Sequence, residues 1–279
     1  MLSDEQVVHS VPPVLVAVEH VSKVYRLDRF GSSSSGQGSV QAHALARLKA
    51  LLVDKTLQGG LASPFVALDD ISFTVRRGEA IALVGHNGAG KSTLLGLLSR
   101  ISLPSTGKIM LYGRINTGGF DPSSFSRYMT GRENIMALST MLGDSWQAIG
   151  QRVEAIADFA ELGDFMDAPI KTYSWGMTMR LALSILVHTP FDVLVLDEGL
   201  AKLDDAFKAK VIDRLQALNR DGVALIVACH QTGLLDTLCT RGLLLEHGCL
   251  VQDGPLDAVR AFYEAGQQRF GDPVQPVCG

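Results

Sequence analysis

The chain has 279 residues, of which 47% are apolar and 19% charged, the balance of a globular protein with a sizeable core. Lys and Arg number 25 against 29 Asp and Glu, and the resulting net charge of −4 argues against a general nucleic-acid binder, which carries a basic excess. The sequence has no run of 18 apolar residues, so no membrane-spanning helix is predicted.

Strand-like and helical patterns alternate along most of the chain. Short apolar or alternating runs predict a strand pair over 66–76 and single strands at 14–25, 80–84, 193–196, 223–229 and 242–246. Helical patterns separate these strands, and the block 130–188 is helical throughout. This order predicts an α/β fold with a largely parallel sheet, interrupted by a helical subdomain.

An unusual segment separates the first two strands. Residues 31–38 (GSSSSGQG) have the composition of a flexible linker. The segment 41–57 then places Leu45, Leu48 and Leu52 on one helical face, with basic residues elsewhere, which predicts a short amphipathic helix. This helix either packs on its own domain or lies at a membrane surface or against a partner.

The most specific signal is a glycine-rich loop between the strand 80–84 and a leucine-rich helix over 91–100. Its sequence, GHNGAGKS, fits the pattern GxxxxGK[ST] of phosphate-binding loops. The backbone N–H groups and the helix N-terminus face phosphate oxygens, Lys91 reaches the β- and γ-phosphates, and the Ser92 hydroxyl ligates Mg²⁺. The predicted phosphate contacts come from Gly85, His86, Asn87, Gly88, Ala89, Gly90, Lys91, Ser92 and Thr93.

A second apolar strand, 193–196, ends in two acids, Asp197 and Glu198. A buried parallel strand carries Asp197 to the carboxyl edge of the sheet, beside the phosphate loop, where it would hold Mg²⁺. Glu198 points in a different direction and suits the general base for an attacking water.

In the order and spacing of these motifs, the chain resembles the ATP-binding subunits of ABC transporters over residues 14–265. The resemblance implies a P-loop NTPase fold of ABC type, with a mostly parallel core sheet, an antiparallel β subdomain and an inserted α-helical subdomain. It also implies that 1–279 is a single ATP-binding domain. The implied parts are a core with β subdomain (14–128 and 189–265), a linker and helix insert (31–60), a helical subdomain (129–188) and a tail (266–279).

The resemblance also assigns roles outside the phosphate loop. The segment 173–177 (YSWGM) matches a serine-glycine motif in which Ser174 and Gly176 close on ATP held by the other subunit of a head-to-tail dimer. The resemblance implies ATP and Mg²⁺ as cofactors. The remaining implied site residues are Asp204 at the end of the loop after the metal strand, His230 beside the γ-phosphate and attacking water, and Tyr25 as the aromatic on which adenine stacks. The catalytic residues are then Lys91, Glu198 and His230, and the metal ligands Ser92 and Asp197.

Shorter stretches resemble polysaccharide and teichoic-acid exporters, namely 21–25 (VSKVY), 130–135 (TGRENI) and the motif at 173–177. This narrower resemblance implies ATP-driven export of a lipid-linked polysaccharide such as O-antigen or capsule. The expected partners are a second copy of the chain and an integral membrane permease, which would make most of the contacts with the glycan. The expected location is the cytoplasmic face of the inner membrane, and no nucleic acid is expected as a partner.

Two departures from the family pattern leave other functions open. No Gln lies between Ser92 and Trp146, where the family has one that contacts Mg²⁺ and water, and Trp175 stands where the family prefers a small residue. Both favour a weakly hydrolysing, ATP-gated binding or scaffold module, which the complete set of catalytic and metal residues opposes.

A soluble ABC ATPase of translation or DNA repair usually has two ATP modules or a long coiled-coil insert, and neither is present. Steady ATP turnover by a purified dimer would separate an ATPase from a gated module.

Overall fold

The computed structural model describes residues 13–25, 64–117, 124–197, 203–228 and 232–269. The chain divides into two compact units. The first unit comprises the segments Met1–Ala17, Thr74–Ile81 and Met110–Thr240, and the second comprises Val18–Phe73, Ala82–Ile109 and Arg241–Gly279. The linker and amphipathic helix predicted within 31–60 lie outside the described residues.

The secondary structure is mixed α/β. The strands are β1 (Val14–Tyr25), β2 (Phe65–Arg76), β3 (Ala80–Val84), β4 (Thr106–Leu111), β5 (Ile115–Thr117), β6 (Val193–Asp197), β7 (Ala224–Ala228), β8 (Arg241–Glu246) and β9 (Cys249–Pro255). The helices are α1 (Lys91–Leu98), α2 (Gly131–Met141), α3 (Trp146–Gly150), α4 (Val153–Ala160), α5 (Trp175–His188), α6 (Asp205–Arg220), α7 (Thr232–Leu238) and α8 (Leu256–Arg269). The sequence did not predict β4, β5 and β9, which are short or alternate weakly.

The strands form a six-stranded sheet in the order β5-β6-β7-β3-β8-β9 and a three-stranded sheet in the order β2-β1-β4. Within the first unit, β5, β6 and β7 pair in parallel, whereas β8 and β9 of the second unit pair antiparallel. Every residue of β3 and β7 is buried, as expected of sheet strands covered on both faces. The predicted α/β fold with a largely parallel sheet is confirmed.

The prediction of a strand pair over 66–76 is wrong, because this segment is the single strand β2. Asp70, in its middle, has a φ of +49°, and so does His20 in β1. The His20 Nδ1 lies 2.8 Å from the Asp70 carboxylate. The backbone N–H of His20 donates to Ser72 Oγ, and that of Asp70 donates to Ser22 Oγ. Serine hydroxyls therefore accept hydrogen bonds from the backbone N–H groups at the two positive-φ residues, and the strand continues through them.

The predicted helical block contains α2 to α5 and two 3₁₀ turns, Gly163–Asp167 and Ile170–Thr172. Its core is an apolar cluster in which Ile135 of α2, Ile156 of α4 and Ile185 of α5 are almost completely buried. Among all helices of the described ranges, none has both the length and the hydropathy needed to cross a membrane.

The motif TGRENI builds the start of this helical block. Thr130 caps α2 in a capping box, in which its hydroxyl accepts from the Glu133 N–H and the Glu133 carboxylate accepts from the Thr130 N–H. Asn134 is 1% exposed. Its Nδ2 donates to the carbonyls of Ser126, Met129 and Thr130, and its Oδ1 accepts from the Ser126 N–H. One buried amide therefore fixes the conformation of the segment 126–130.

Candidate active site

The glycine-rich loop of the second unit connects the buried strand β3 to α1. Gly85 has a φ of +147°, and a Cβ there would lie 2.2 Å from the Leu245 carbonyl oxygen, so only glycine fits. Gly90, the N-cap of α1, has a φ of +109° and provides no side-chain cap for the first N–H groups of the helix. An anion is the natural partner for such a helix N-terminus, so the loop fits a phosphate group.

Lys91 places its ammonium against the backbone of this loop. Its Nζ donates to the carbonyl oxygens of Gly85 at 2.6 Å and of His86 at 3.0 Å. The lysine side chain therefore spans the loop from the first turn of α1, which also contains Ser92 and Thr93. The predicted phosphate-binding residues 85–93 form the loop directly after β3 and the first residues of α1.

The turn between β8 and β9 supports the phosphate loop, a feature that the sequence did not reveal. The Gly248 N–H donates to the Ala89 carbonyl at 3.0 Å, and the Gly248 carbonyl accepts from the Asp69 N–H at 2.8 Å. The ring centroids of His86 and His247 lie 4.9 Å apart. These contacts join residues about 160 to 180 positions apart in the sequence, so no local pattern could indicate them.

In the first unit, β6 is buried through Leu196 and brings the chain to Asp197 at its carboxyl end. The register pairs Asp197 of β6 with Ala228 of β7. Asp197 directly precedes Glu198, and Ala228 lies two positions before His230, so the two strands bring the chain toward both predicted residues at the same edge of the sheet. Glu198 and His230 themselves lie outside the described residues. Their catalytic roles, and the role of Asp197 as a metal ligand, stay predictions.

Ser174 is the N-cap of α5, and its Oγ accepts from the Met177 N–H at 3.2 Å. Trp175 begins the helix and is 48% exposed, so its indole belongs largely to the surface. A Cβ on Gly176 would meet only the Ser174 Oγ, at 3.9 Å. Nothing in the described part of this unit requires glycine at 176, which is consistent with a ligand or a second protomer approaching this turn.

Asp204 caps α6, with its Oδ1 accepting from the Phe207 N–H at 3.0 Å. Its Oδ2 accepts from Arg180 Nη2 at 2.8 Å. The Phe207 N–H, followed by the Arg180 guanidinium, lowers the pKa of Asp204 below its ordinary value. Arg180 therefore joins α5, which starts at the Ser174 motif, to the N-cap of α6.

The same guanidinium extends this link to α4. Arg180 Nη1 lies 3.4 Å from the Glu161 carboxylate, which also accepts from Lys210 Nζ at 2.6 Å. The hydrogen bond and charge of Lys210 lower the pKa of Glu161. Sequence reasoning missed Arg180, Glu161 and Lys210, although Arg180 lies on the motif helix six residues after Ser174.

The sequence of this chain is similar to known ABC transporter proteins. The ABC transporter family matches residues 68–201. ABC transporter protein AbcA of Aeromonas salmonicida is 45% identical over 75% of this chain and 68% of its own. The O-antigen export system ATP-binding protein RfbB of Klebsiella pneumoniae is 38% identical over 72% of this chain and 81% of its own. The teichoic acids export ATP-binding protein TagH of Listeria monocytogenes is 32% identical over 90% of this chain and 70% of its own.

The fold is also found in solved structures. An ATP-binding cassette, determined as a dimer in a post-hydrolysis state bound to ADP and Pi, superposes with a TM-score of 0.65 at 18% identity. The superposition includes 87% of this chain and 99% of the chain of that cassette.

Proposed function

Because the chain belongs to the ABC transporter family, we propose that it is the ATPase subunit of an exporter for a lipid-linked polysaccharide. As a member of this family it binds ATP and is an ATPase. The observation that carries the finer proposal is similarity to proteins named for the export of O-antigen and of teichoic acids. Both are cell-surface glycans, so this chain would energise export of the same chemical class.

Within the second unit, the loop 85–90 and the N-terminus of α1 would bind the triphosphate, and Lys91 would contribute its positive charge. Ser92 and Asp197 would hold Mg²⁺, which, when bound, neutralises charge on the phosphate oxygens. Glu198 would take a proton from the attacking water, and His230 would hold the water and the γ-phosphate in place. This mechanism assigns no residue to the role of the missing Gln.

A head-to-tail homodimer would complete each site. Ser174 and Gly176 of one protomer would cover the nucleotide bound by the phosphate loop of the other. The exposed turn at the start of α5 and the open space around Gly176 support this arrangement. Arg180 would transmit the position of this turn to Asp204 within the same protomer.

A separate membrane subunit would bind the helical block at the cytoplasmic face of the membrane. Met141 and Trp146 are exposed by 80% and 68% in this block, and Tyr128, just before it, is exposed by 84%. Large exposed apolar side chains are candidates for contact with a partner protein. Asn134 fixes the backbone on both sides of Tyr128, so this surface has a defined shape before a partner arrives.

The test is complementation of a host strain from which the gene has been deleted. Wild-type protein should restore surface polysaccharide, whereas Glu198→Gln should leave the lipid-linked glycan inside the cell. Thr140→Ala, an exposed change in α2, serves as the matched control and should restore export. Normal surface polysaccharide in the deletion strain would contradict the proposal and leave the chain an ATPase of another process.

A further inference from the structure

Tyr25, the residue predicted to stack on adenine, has a cation on its ring. Lys23 Nζ lies 5.0 Å from the Tyr25 ring centroid. The two residues are separated by one position in β1, and side chains at positions i and i+2 of a strand lie on the same face. An ammonium at this distance interacts favourably with an aromatic ring.

The ammonium is held in place by the segment that follows the phosphate-loop helix. Lys23 Nζ donates to the Leu103 carbonyl oxygen at 2.7 Å, and partial burial lowers the pKa of Lys23. The Leu103 side chain is exposed, and the contact to Lys23 is made by the Leu103 backbone carbonyl. Lys23 is therefore fixed from one side by a carbonyl group and lies over the ring of Tyr25.

Two further contacts tie the same segment to β1. The Ser105 N–H donates to the Ser22 carbonyl at 2.8 Å, and the Val24 N–H donates to Ser105 Oγ at 3.0 Å. Helix α1 leads directly into this segment, and all of these residues belong to the second unit. Hydrogen bonds therefore tie the segment that follows α1 to the strand end at Tyr25.

We propose that Lys23 is a positioning residue for the base of ATP, which fixes the Tyr25 ring and leaves its opposite face to the purine. The inference rests on the proposed function, because it requires Tyr25 to receive the base. A cation on one face withdraws electron density from the ring, which favours stacking of an electron-rich purine on the other face. Lys23 touches no phosphate in this scheme, so its effect is confined to nucleotides that carry a base.

The experiment compares binding of ADP and of inorganic pyrophosphate to the full chain by calorimetry. Pyrophosphate occupies the phosphate loop but has no base. Lys23→Met should weaken ADP binding about two- to fivefold, the range for an exposed cation–π contact, and leave pyrophosphate binding unchanged. Lys23→Arg should keep ADP affinity within about twofold of wild type, since the guanidinium preserves the cation.

Two controls separate positioning from general damage. Lys108→Met removes an exposed lysine of β4, and Leu103→Ala retains the carbonyl that holds Lys23, so both should bind ADP as the wild type does. In a Tyr25→Ala background, which by itself should weaken ADP but not pyrophosphate, Lys23→Met should have no additional effect.

Three outcomes would overturn the inference: equal losses for ADP and pyrophosphate, no loss for ADP, or a full effect of Lys23→Met without the Tyr25 ring. Unchanged ADP affinity in Tyr25→Ala would also overturn it, while leaving the ATPase itself intact. Absence of nucleotide binding by the wild-type chain would instead contradict the proposed function.

Discussion

Replacement of Asn134 by Asp tests whether one buried amide fixes the conformation of the segment 126–130. The change keeps the shape of the side chain and the acceptor for the Ser126 N–H, but removes both N–H donors of the amide, which three carbonyl oxygens share. At about 0.5–1.5 kcal/mol for each of the two donors, the loss is about 1–3 kcal/mol, and repulsion between a carboxylate and three carbonyls adds to it. We therefore expect a clear loss of stability in Asn134→Asp.

The assay is urea unfolding of the full chain, followed by circular dichroism. Thr140→Ala is the matched control, because it removes a single exposed hydrogen bond from the same helix, to the Met136 carbonyl. The control should change the free energy of unfolding by less than about 1 kcal/mol. A loss in Asn134→Asp no larger than that of the control would refute the role assigned to Asn134.

Three further predictions concern the residues of the candidate active site. Gly85→Ala should weaken ATP binding more than about tenfold, because its Cβ would collide with the Leu245 carbonyl and the φ of Gly85 is positive. The control Gly96→Ala, which has open space around it in α1, should bind ATP as the wild type does. Equal ATP affinities for the two variants in a binding titration would contradict this prediction. Arg180→Gln should lower the ATPase kcat about tenfold with little change in KM, because it removes the hydrogen bond to Asp204 and leaves the phosphate loop unchanged. An unchanged kcat in steady-state kinetics would refute this prediction. The pKa of Asp204 is depressed in the folded state, so its contribution to stability is present above its ordinary value of 3.8 and is lost as the pH falls through the folded value. Acid unfolding of Asp204→Asn should therefore depend less on pH in that range than unfolding of the wild type.

Sequence patterns predict the local features of this protein well. The phosphate loop has a strand before it and a helix after it, as its mechanism requires, and Ser174 and Asp204 are both helix N-caps, a position that suits Ser and Asp. Each of these features depends on residues within a few positions of one another.

The features that the sequence did not reveal depend on contacts between distant segments. His247 packs against His86, and Leu103 accepts from Lys23, across 80 or more positions of sequence. The strand β2 continues through Asp70 because partners in β1 satisfy its backbone there. One local signal was present, since Lys23 and Tyr25 share a face of the predicted strand.

The most direct test of the central claim is steady-state ATP turnover by the purified chain, measured for wild type and for Glu198→Gln with dimerisation followed by light scattering. Wild-type protein should hydrolyse ATP, and the variant should lose about 10²–10⁴-fold in turnover while still dimerising in the presence of ATP. Turnover that survives in Glu198→Gln, or a wild-type dimer that binds ATP without hydrolysing it, would contradict the account.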